Sequence, residues 1–345
     1  MSDSTDLTDD NPDNPAGAPG TTPGITIDNH LSADHLDGAL RSDVLAGLTA
    51  EPKSLPPKWF YDARGSELFE RITALPEYYP TRAEREILGS YAAEIAASTD
   101  ARTLVELGSG SSEKTRLLLT ALREHGSLQA FVPLDVSGSA LREAAAAIAA
   151  DYPGLTVHGV LGDFTEHLDR LPGSAPRVVA FLGGTIGNLV PAERAKFLAG
   201  VRSVLNAGEW LLLGTDLVKD PDTLVRAYDD AAGVTGEFNR NVLRVLNREL
   251  TANFEVDAFQ HVALWDPERE WIEMRLRATR PMRVRVADLD LTIDFAAGEE
   301  LRTEVSAKFR REVVEAELAE AGFELTTWLT DSQGRFAVSL AKAVR

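Results

Sequence analysis

Cysteine is absent from this chain of 345 residues. That excludes disulfides, thiolate metal sites and cysteine nucleophiles together. Basic charge is in deficit, with 35 Lys and Arg against 54 Asp and Glu and a formal net charge of −19. Binding to a phosphate backbone needs clustered Lys and Arg, so nucleic acid is not an expected partner. The acidic balance speaks to solubility rather than to a substrate. No apolar run reaches the ~18 residues of a membrane-crossing helix, and no basic segment followed by an apolar stretch opens the chain. The expectation is a cytoplasmic protein with no membrane partner. The six histidines (His30, His35, His125, His158, His167 and His261) form no HExxH or comparable spacing, so no metal is expected.

What is present reads as a globular chain. Apolar residues make up 44% and charged residues 26%, ordinary values for a packed domain. At ~150 residues per domain, the length suggests about two. Residues 1–24 are rich in Asp, Pro, Gly, Ser and Thr and read as a disordered tail. Leu36, Leu40, Val44 and Leu48 recur at a helical spacing. Ser66 reads as the cap of a helix carrying Leu68, Phe69, Ile72 and Leu75, and Thr81 to Glu84 as a capping box ahead of Ile87, Leu88 and Ile95.

Strand-like runs then fall near 103–107, 130–135, 156–161, 177–183 and 209–215. Helical patterns near 113–124, 139–150, 191–205 and 221–233 alternate with them. This alternation predicts parallel strands joined by right-handed crossovers. After Asp216 the rhythm changes. A helical stretch (237–250) gives way to period-two patterns at 270–279 and 289–295, then a helix (309–321) and a closing hairpin (323–329 with 335–340).

The apolar run Thr103 to Leu107 ends in Gly108 and Gly110, and a helical pattern follows at once. Strand, glycine turn and helix N-terminus form a nucleotide cradle at the carboxyl end of a parallel sheet. A dinucleotide fingerprint needs a third small residue, and Glu113 stands there instead. That counts against the rival reading, an NAD(P) oxidoreductase. With Glu106 before it, Glu-x-Gly-x-Gly resembles the cofactor loop of S-adenosylmethionine (SAM) methyltransferases. Asp135 ends the next strand-like run, where an acid accepts bonds from ribose hydroxyls. Asp163 and Phe164 follow the third and resemble an adenine-binding corner.

Further strings go beyond a generic methyltransferase. They are Phe60-Tyr61-Asp62, Pro76 to Arg82, Glu106 to Lys114, Gly187-Asn188-Leu189, Gly214 to Asp220 and Glu304-Val305-Ser306. In this order they closely resemble the histidine-specific Nα-methyltransferases of ergothioneine biosynthesis, from about Leu36 to the C-terminus. The resemblance implies an α/β fold: a Rossmann-like class I SAM methyltransferase sheet, mostly parallel with an antiparallel last strand, and a second α+β substrate-recognition domain. The expected division is 83–218 plus 309–345 for SAM and 25–82 plus 219–308 for substrate. The implied activity is transfer of three methyl groups from SAM to the α-amino group of L-histidine, giving hercynine and S-adenosylhomocysteine.

The resemblance places the cofactor on Gly108, Lys114, Asp135, Asp163 and Phe164. It places the substrate on Tyr61, Tyr78, Asn188, Tyr228, Met274, Glu304 and Ser306, with Tyr61 and Asn188 at the reacting centre. Tyr78 and Tyr228 are to grip the carboxylate, Asn188 the amine, and Glu304 and Ser306 the imidazole. No departure from the family pattern is seen at these positions.

The chemistry suits such residues. Displacement by a neutral amine needs alignment and loss of one proton rather than a strong base. In an extended chain Glu304 and Ser306 project to one face, where a carboxylate accepts from one ring N–H and a hydroxyl serves the other nitrogen. Aromatic faces such as that of Tyr61 tolerate a growing cation. Lys114 opposes the dipole of its helix, which predicts a ligand carboxylate as its partner. A SAM methyltransferase acting on another small amine, and a non-catalytic scaffold, stay open as alternatives. No long apolar stripe lacks an obvious partner, so a monomer is expected.

Overall fold

A computed structural model describes residues 24–31, 33–110 and 112–345 of the protein. The expected tail, residues 1–24, lies outside these apart from Gly24. In chain order the elements are β1 (Ile25–Asn29), α1 (Ala33–Thr49), α2 (Ala63–Thr73), α3 (Pro80–Thr99), β2 (Thr103–Leu107), α4 (Thr115–His125), β3 (Ala130–Asp135), α5 (Gly138–Asp151), β4 (Thr156–Leu161), β5 (Arg177–Phe181), α6 (Pro191–Val204) and β6 (Trp210–Asp216). Then follow α7 (Pro221–Tyr228), α8 (Val234–Glu249), β7 (Phe259–Asp266), β8 (Trp271–Ala278), β9 (Met282–Val286), β10 (Leu291–Phe295), β11 (Glu300–Ala307), α9 (Arg311–Glu320), β12 (Phe323–Thr330) and β13 (Phe336–Ala343).

Eight strands form the main sheet in the order β1-β4-β3-β2-β5-β6-β13-β12. Neighbours are parallel from β1 to β6, and β13 and β12 run antiparallel at the far edge. The mostly parallel sheet with an antiparallel end is the expected class I methyltransferase arrangement. From β2 the chain builds outward to β3 and β4 on one side and to β5 and β6 on the other. Ligands bind at such a switch point, outside the carboxyl ends of the strands.

Every residue of β2 is buried, as a strand covered on both faces requires. Leu104 packs into the core under α3 and α4, and Val105 and Leu107 into the opposite core with α6 and α9. A third core unites α1, α2, α7 and α8 with a three-stranded antiparallel sheet (β11-β8-β7) and the β9–β10 hairpin. Strand β11 spans two cores: Leu301 packs in the third, Val305 and Ala307 under the main sheet.

Several local expectations are corrected. The sequence division places residues 25–29 with the substrate piece, whereas β1 pairs with β4 and extends the main sheet. The alternation of Ile25 and Ile27 is the strand signal in this stretch. Asp62, not Ser66, caps α2 and accepts from the Gly65 amide at 2.8 Å. No capping box opens α3; it starts at Pro80, which has no N–H to satisfy. That leaves Glu84 for another task. The helix expected over 221–233 stops at Tyr228, because Asp230 accepts from the amides of Val234 and Thr235 and opens α8. Among the described residues no helix is long and apolar enough to cross a membrane.

Candidate active site

The carboxyl ends of β2 to β6 share one edge of the sheet. At the end of β2, Gly108 (φ 70°) and Gly110 (φ 49°) adopt the left-handed backbone that glycine tolerates. A Cβ at either would meet nothing within 4 Å, so the turn faces open space. Buried Glu106 holds the turn from below, accepting from the hydroxyls of Ser112 (2.9 Å) and Thr115. Burial pushes its carboxyl up to about 7, against the pull of those hydroxyls and of Lys114. The folded chain therefore binds this proton more tightly than the unfolded chain, and stability falls as pH rises from about 4.5 to about 7. Glu106→Gln is expected to be stabilising by on the order of 2 kcal/mol at pH 8 and neutral near pH 4.5, read by denaturant melts at both.

Asp135, at the end of β3, accepts from the amides of Gly110 (2.9 Å) and Ser137 (2.8 Å). It thereby joins the glycine turn to the N-terminus of α5. Burial raises its carboxyl above the ordinary value. Asp163 accepts from the Thr165 amide (2.8 Å) and hydroxyl (2.6 Å). The Phe164 ring stands edge-on to Phe181, 5.0 Å between centroids. Among the described residues the buried Ser109 hydroxyl at the turn has no hydrogen-bond partner. An open glycine turn, an unpaired hydroxyl and a carboxylate at the next strand end fit the nucleoside and amino-acid parts of SAM.

Lys114 does not wait for a ligand carboxylate. It pairs with Glu84, which is wholly buried and also accepts from the Gly183 amide at 2.8 and 3.0 Å. One carboxylate from α3 thus ties the start of α4 to the loop after β5.

The seven expected substrate residues line one cavity, together with Phe69, Phe238 and the Gly183–Thr185 loop. Each arrives by a definable route. Gly187 allows β11 to approach, since a Cβ there would lie 2.8 Å from the Ala307 carbonyl oxygen. The Asn188 amide then donates to the Val305 carbonyl at 2.8 Å. Tyr228 is the last residue of α7, whose start is capped by Asp220. Glu304 faces Met274 across the β11–β8 pairing. Tyr61 is exposed (40%) and stands edge-on to Phe69 and Phe238. Burial raises the Tyr78 and Tyr228 phenols well above their ordinary value, so they stay neutral. Burial also pushes the Glu304 carboxyl up to about 7, opposed by Lys308 and by a hydrogen bond from Asn188.

Behind the cavity lies a network that motif reading missed. The Tyr228 and Ser306 hydroxyls are 2.8 Å apart, and buried Lys308 donates to both at 2.8 Å. Lys308 pairs with Asp216 at 3.0 Å, as does Lys219 at 2.6 Å. Tyr79 donates to Asp216 and accepts from Lys219. Lys308 is two residues beyond Ser306, so strand period was the signal that pointed to it. Among the described residues no cluster of His, Cys, Asp and Glu is arranged to hold a metal ion.

A mostly parallel sheet with an antiparallel end, a glycine turn after its central strand and acids closing the next strands define a SAM-dependent methyltransferase. The comparisons narrow the class. The family described as histidine-specific, SAM-dependent methyltransferases matches residues 40–343. The chain is 61% identical over 317 residues to a histidine N-alpha-methyltransferase of Mycolicibacterium smegmatis, covering 92% of this chain and 99% of that protein. A histidine N-alpha-methyltransferase of Mycobacterium tuberculosis is 59% identical with the same coverage. Ergothioneine biosynthesis protein 1 of Neurospora crassa is 37% identical over 201 residues, which is 57% of this chain and 23% of that protein. The chain belongs to the SAM-dependent, histidine-specific methyltransferase family.

Proposed function

We propose that the protein transfers three methyl groups from SAM to the α-amino group of L-histidine, forming Nα,Nα,Nα-trimethyl-L-histidine (hercynine) for ergothioneine biosynthesis. The observation that carries this reading is the convergence of Tyr61, Tyr78, Asn188, Tyr228, Met274, Glu304 and Ser306 on one cavity that the loop after β5 also lines. The names of the three relatives support it.

When bound, SAM supplies an electrophilic methyl group on a sulfonium. In our reading Gly108 and Asp135 hold its nucleoside side, Asp163 and Phe164 its base, and Lys114, fixed by Glu84, its amino-acid end. The residues of 25–82 and 219–308 bring the substrate, apart from the strand Ile25–Asn29, which belongs with the main sheet.

Tyr78 and Tyr228 hold the carboxylate, Asn188 aligns the amine, and Glu304 and Ser306 read the two ring nitrogens. Alignment of a neutral amine in a dry site supplies much of the rate. The phenols remain protonated, so the proton that leaves the amine before each attack passes to solvent rather than to Tyr78 or Tyr228, and the trimethylated product carries none. Tyr61, Phe69, Tyr78, Phe238 and Tyr228 surround the amino-acid end with ring faces and edges. Such a wall accommodates a quaternary cation without a counter-charge, each cation–π contact contributing about 0.5–2 kcal/mol.

NMR of the product from SAM and L-histidine tests the reading. Three equivalent methyl groups on the α-nitrogen are expected, with both ring nitrogens unmodified. Methylation of the ring, or a reaction that halts at one methyl group, would overturn it.

A further inference from the structure

The network behind the cavity is unbalanced in charge. Lys219 and Lys308 both pair with a single carboxylate, Asp216. The Lys308 side chain has no exposed surface, and the Asp216 side chain is 5% exposed. From the other elements packed around them come Tyr79, just ahead of α3, and Tyr228 of α7, both neutral phenols. Asp331 and Arg335 of the closing hairpin pair with each other at 3.1 Å and cancel. Glu304 faces Lys308 from the ring end of the cavity, and at about 7 its carboxyl is only partly charged at neutral pH. A buried cation in excess is costly unless a ligand brings the missing negative charge.

The excess has one outlet. Of the three Lys308 N–H donors, one reaches Asp216 and the other two reach the hydroxyls of Tyr228 and Ser306, which line the cavity. A hydroxyl that accepts from an ammonium becomes a stronger donor through its own proton. We infer that Lys308 is a specificity-determining residue: through the Tyr228 hydroxyl it supplies the counter-charge for the substrate carboxylate, so that the site takes an α-amino acid and rejects the corresponding amine. This rests on the proposed reading of the cavity as an amino-acid site. Lys308 acts as a positioning residue, because the phenol stands between it and the ligand.

The test is calorimetric binding of L-histidine and of histamine, which lacks only the carboxylate, to the protein saturated with S-adenosylhomocysteine. The wild type is expected to prefer L-histidine by about 100-fold or more. Lys308→Met leaves Asp216 paired with Lys219. It is expected to weaken L-histidine by about 100-fold or more and histamine, which loses only the support of Ser306 at its ring, by about 10-fold or less, so that the preference falls about 10-fold or more. Equal weakening of both ligands would show that Lys308 merely supports the pocket, and an unchanged preference would show that it does not act on the carboxylate; either overturns the inference. If Lys308→Met does not fold, Lys219→Met removes the same excess charge while keeping the Lys308–Asp216 pair. It too is expected to lower the preference, and an unchanged preference there overturns the inference. Failure of the wild type to bind L-histidine while S-adenosylhomocysteine binds would instead overturn the functional reading, and this inference with it.

Discussion

Glu304→Ala is expected to lower kcat/KM for L-histidine by about 1,000-fold, or ~4 kcal/mol of transition-state stabilisation. The carboxyl lines the cavity on β11, opposite Met274, where a ring N–H would lose its acceptor and find no water in its place. The same substitution is expected to leave stability unchanged or higher. Burial has raised this carboxyl to about 7, so its ionised form opposes folding, and that cost grows as pH rises from about 4.5 to about 7. The ionised form is the stronger acceptor for the N–H, so wild-type activity is expected to fall as pH drops below about 7. Glu304→Gln keeps an acceptor oxygen, and its smaller loss, about 10- to 50-fold, is expected without this carboxyl's contribution to the acid limb. Steady-state kinetics across pH, with thermal melts of each variant, check all three points. A Glu304→Ala enzyme that has lost activity in proportion to its melting temperature would remove the recognition role.

Glu84→Ala is the second large effect, and it falls on the cofactor. The carboxylate is wholly buried, yet it is bound to Lys114 and to the Gly183 amide. Removing it strands an ammonium and an amide between α4 and the loop after β5. Breaking a buried pair from one side costs about 3–5 kcal/mol. Part of that appears as lost stability and part as a displaced Lys114. Affinity for SAM is expected to fall about 50-fold or more, with a melting temperature lower by several degrees. Glu84→Gln restores an acceptor for Gly183 but no charge for Lys114, and is expected to recover stability more than affinity. Titration with SAM alongside melts separates the two. Unchanged SAM affinity in a destabilised Glu84→Ala protein would reduce Glu84 to a structural residue.

The positions of the motifs were legible because they sit at strand ends, where period and glycine spacing mark a boundary. β2, β3 and β4 match the sequence reading to the residue, since short apolar runs bounded by polar turns leave little freedom. What the sequence does not display is how the buried charges pair. Glu84 lies three residues after Thr81 and imitates a capping box, but Pro80 already starts the helix and the side chain turns inward. Asp216 and Lys219 belong to a string that marked the family, yet nothing local shows that a third charge, Lys308, comes from ninety residues further on to join them. The dipole argument points Lys114 to a ligand, and nothing local shows that Glu84, thirty positions away on another helix, also pairs with it. Long-range pairing of this kind depends on tertiary packing rather than on local pattern. The strand Ile25–Asn29 is harder to read for a different reason: its five residues follow a long polar stretch, and only Pro23-Gly24 marks where that stretch ends.

The central claim, that this cavity is built for L-histidine, is tested most directly by mass spectrometry of the protein incubated with SAM and each of the twenty amino acids in turn. Histidine alone is expected to gain mass, by one, two and finally three methyl groups. A different amino acid gaining methyl groups, or none gaining any while SAM is bound, would contradict it.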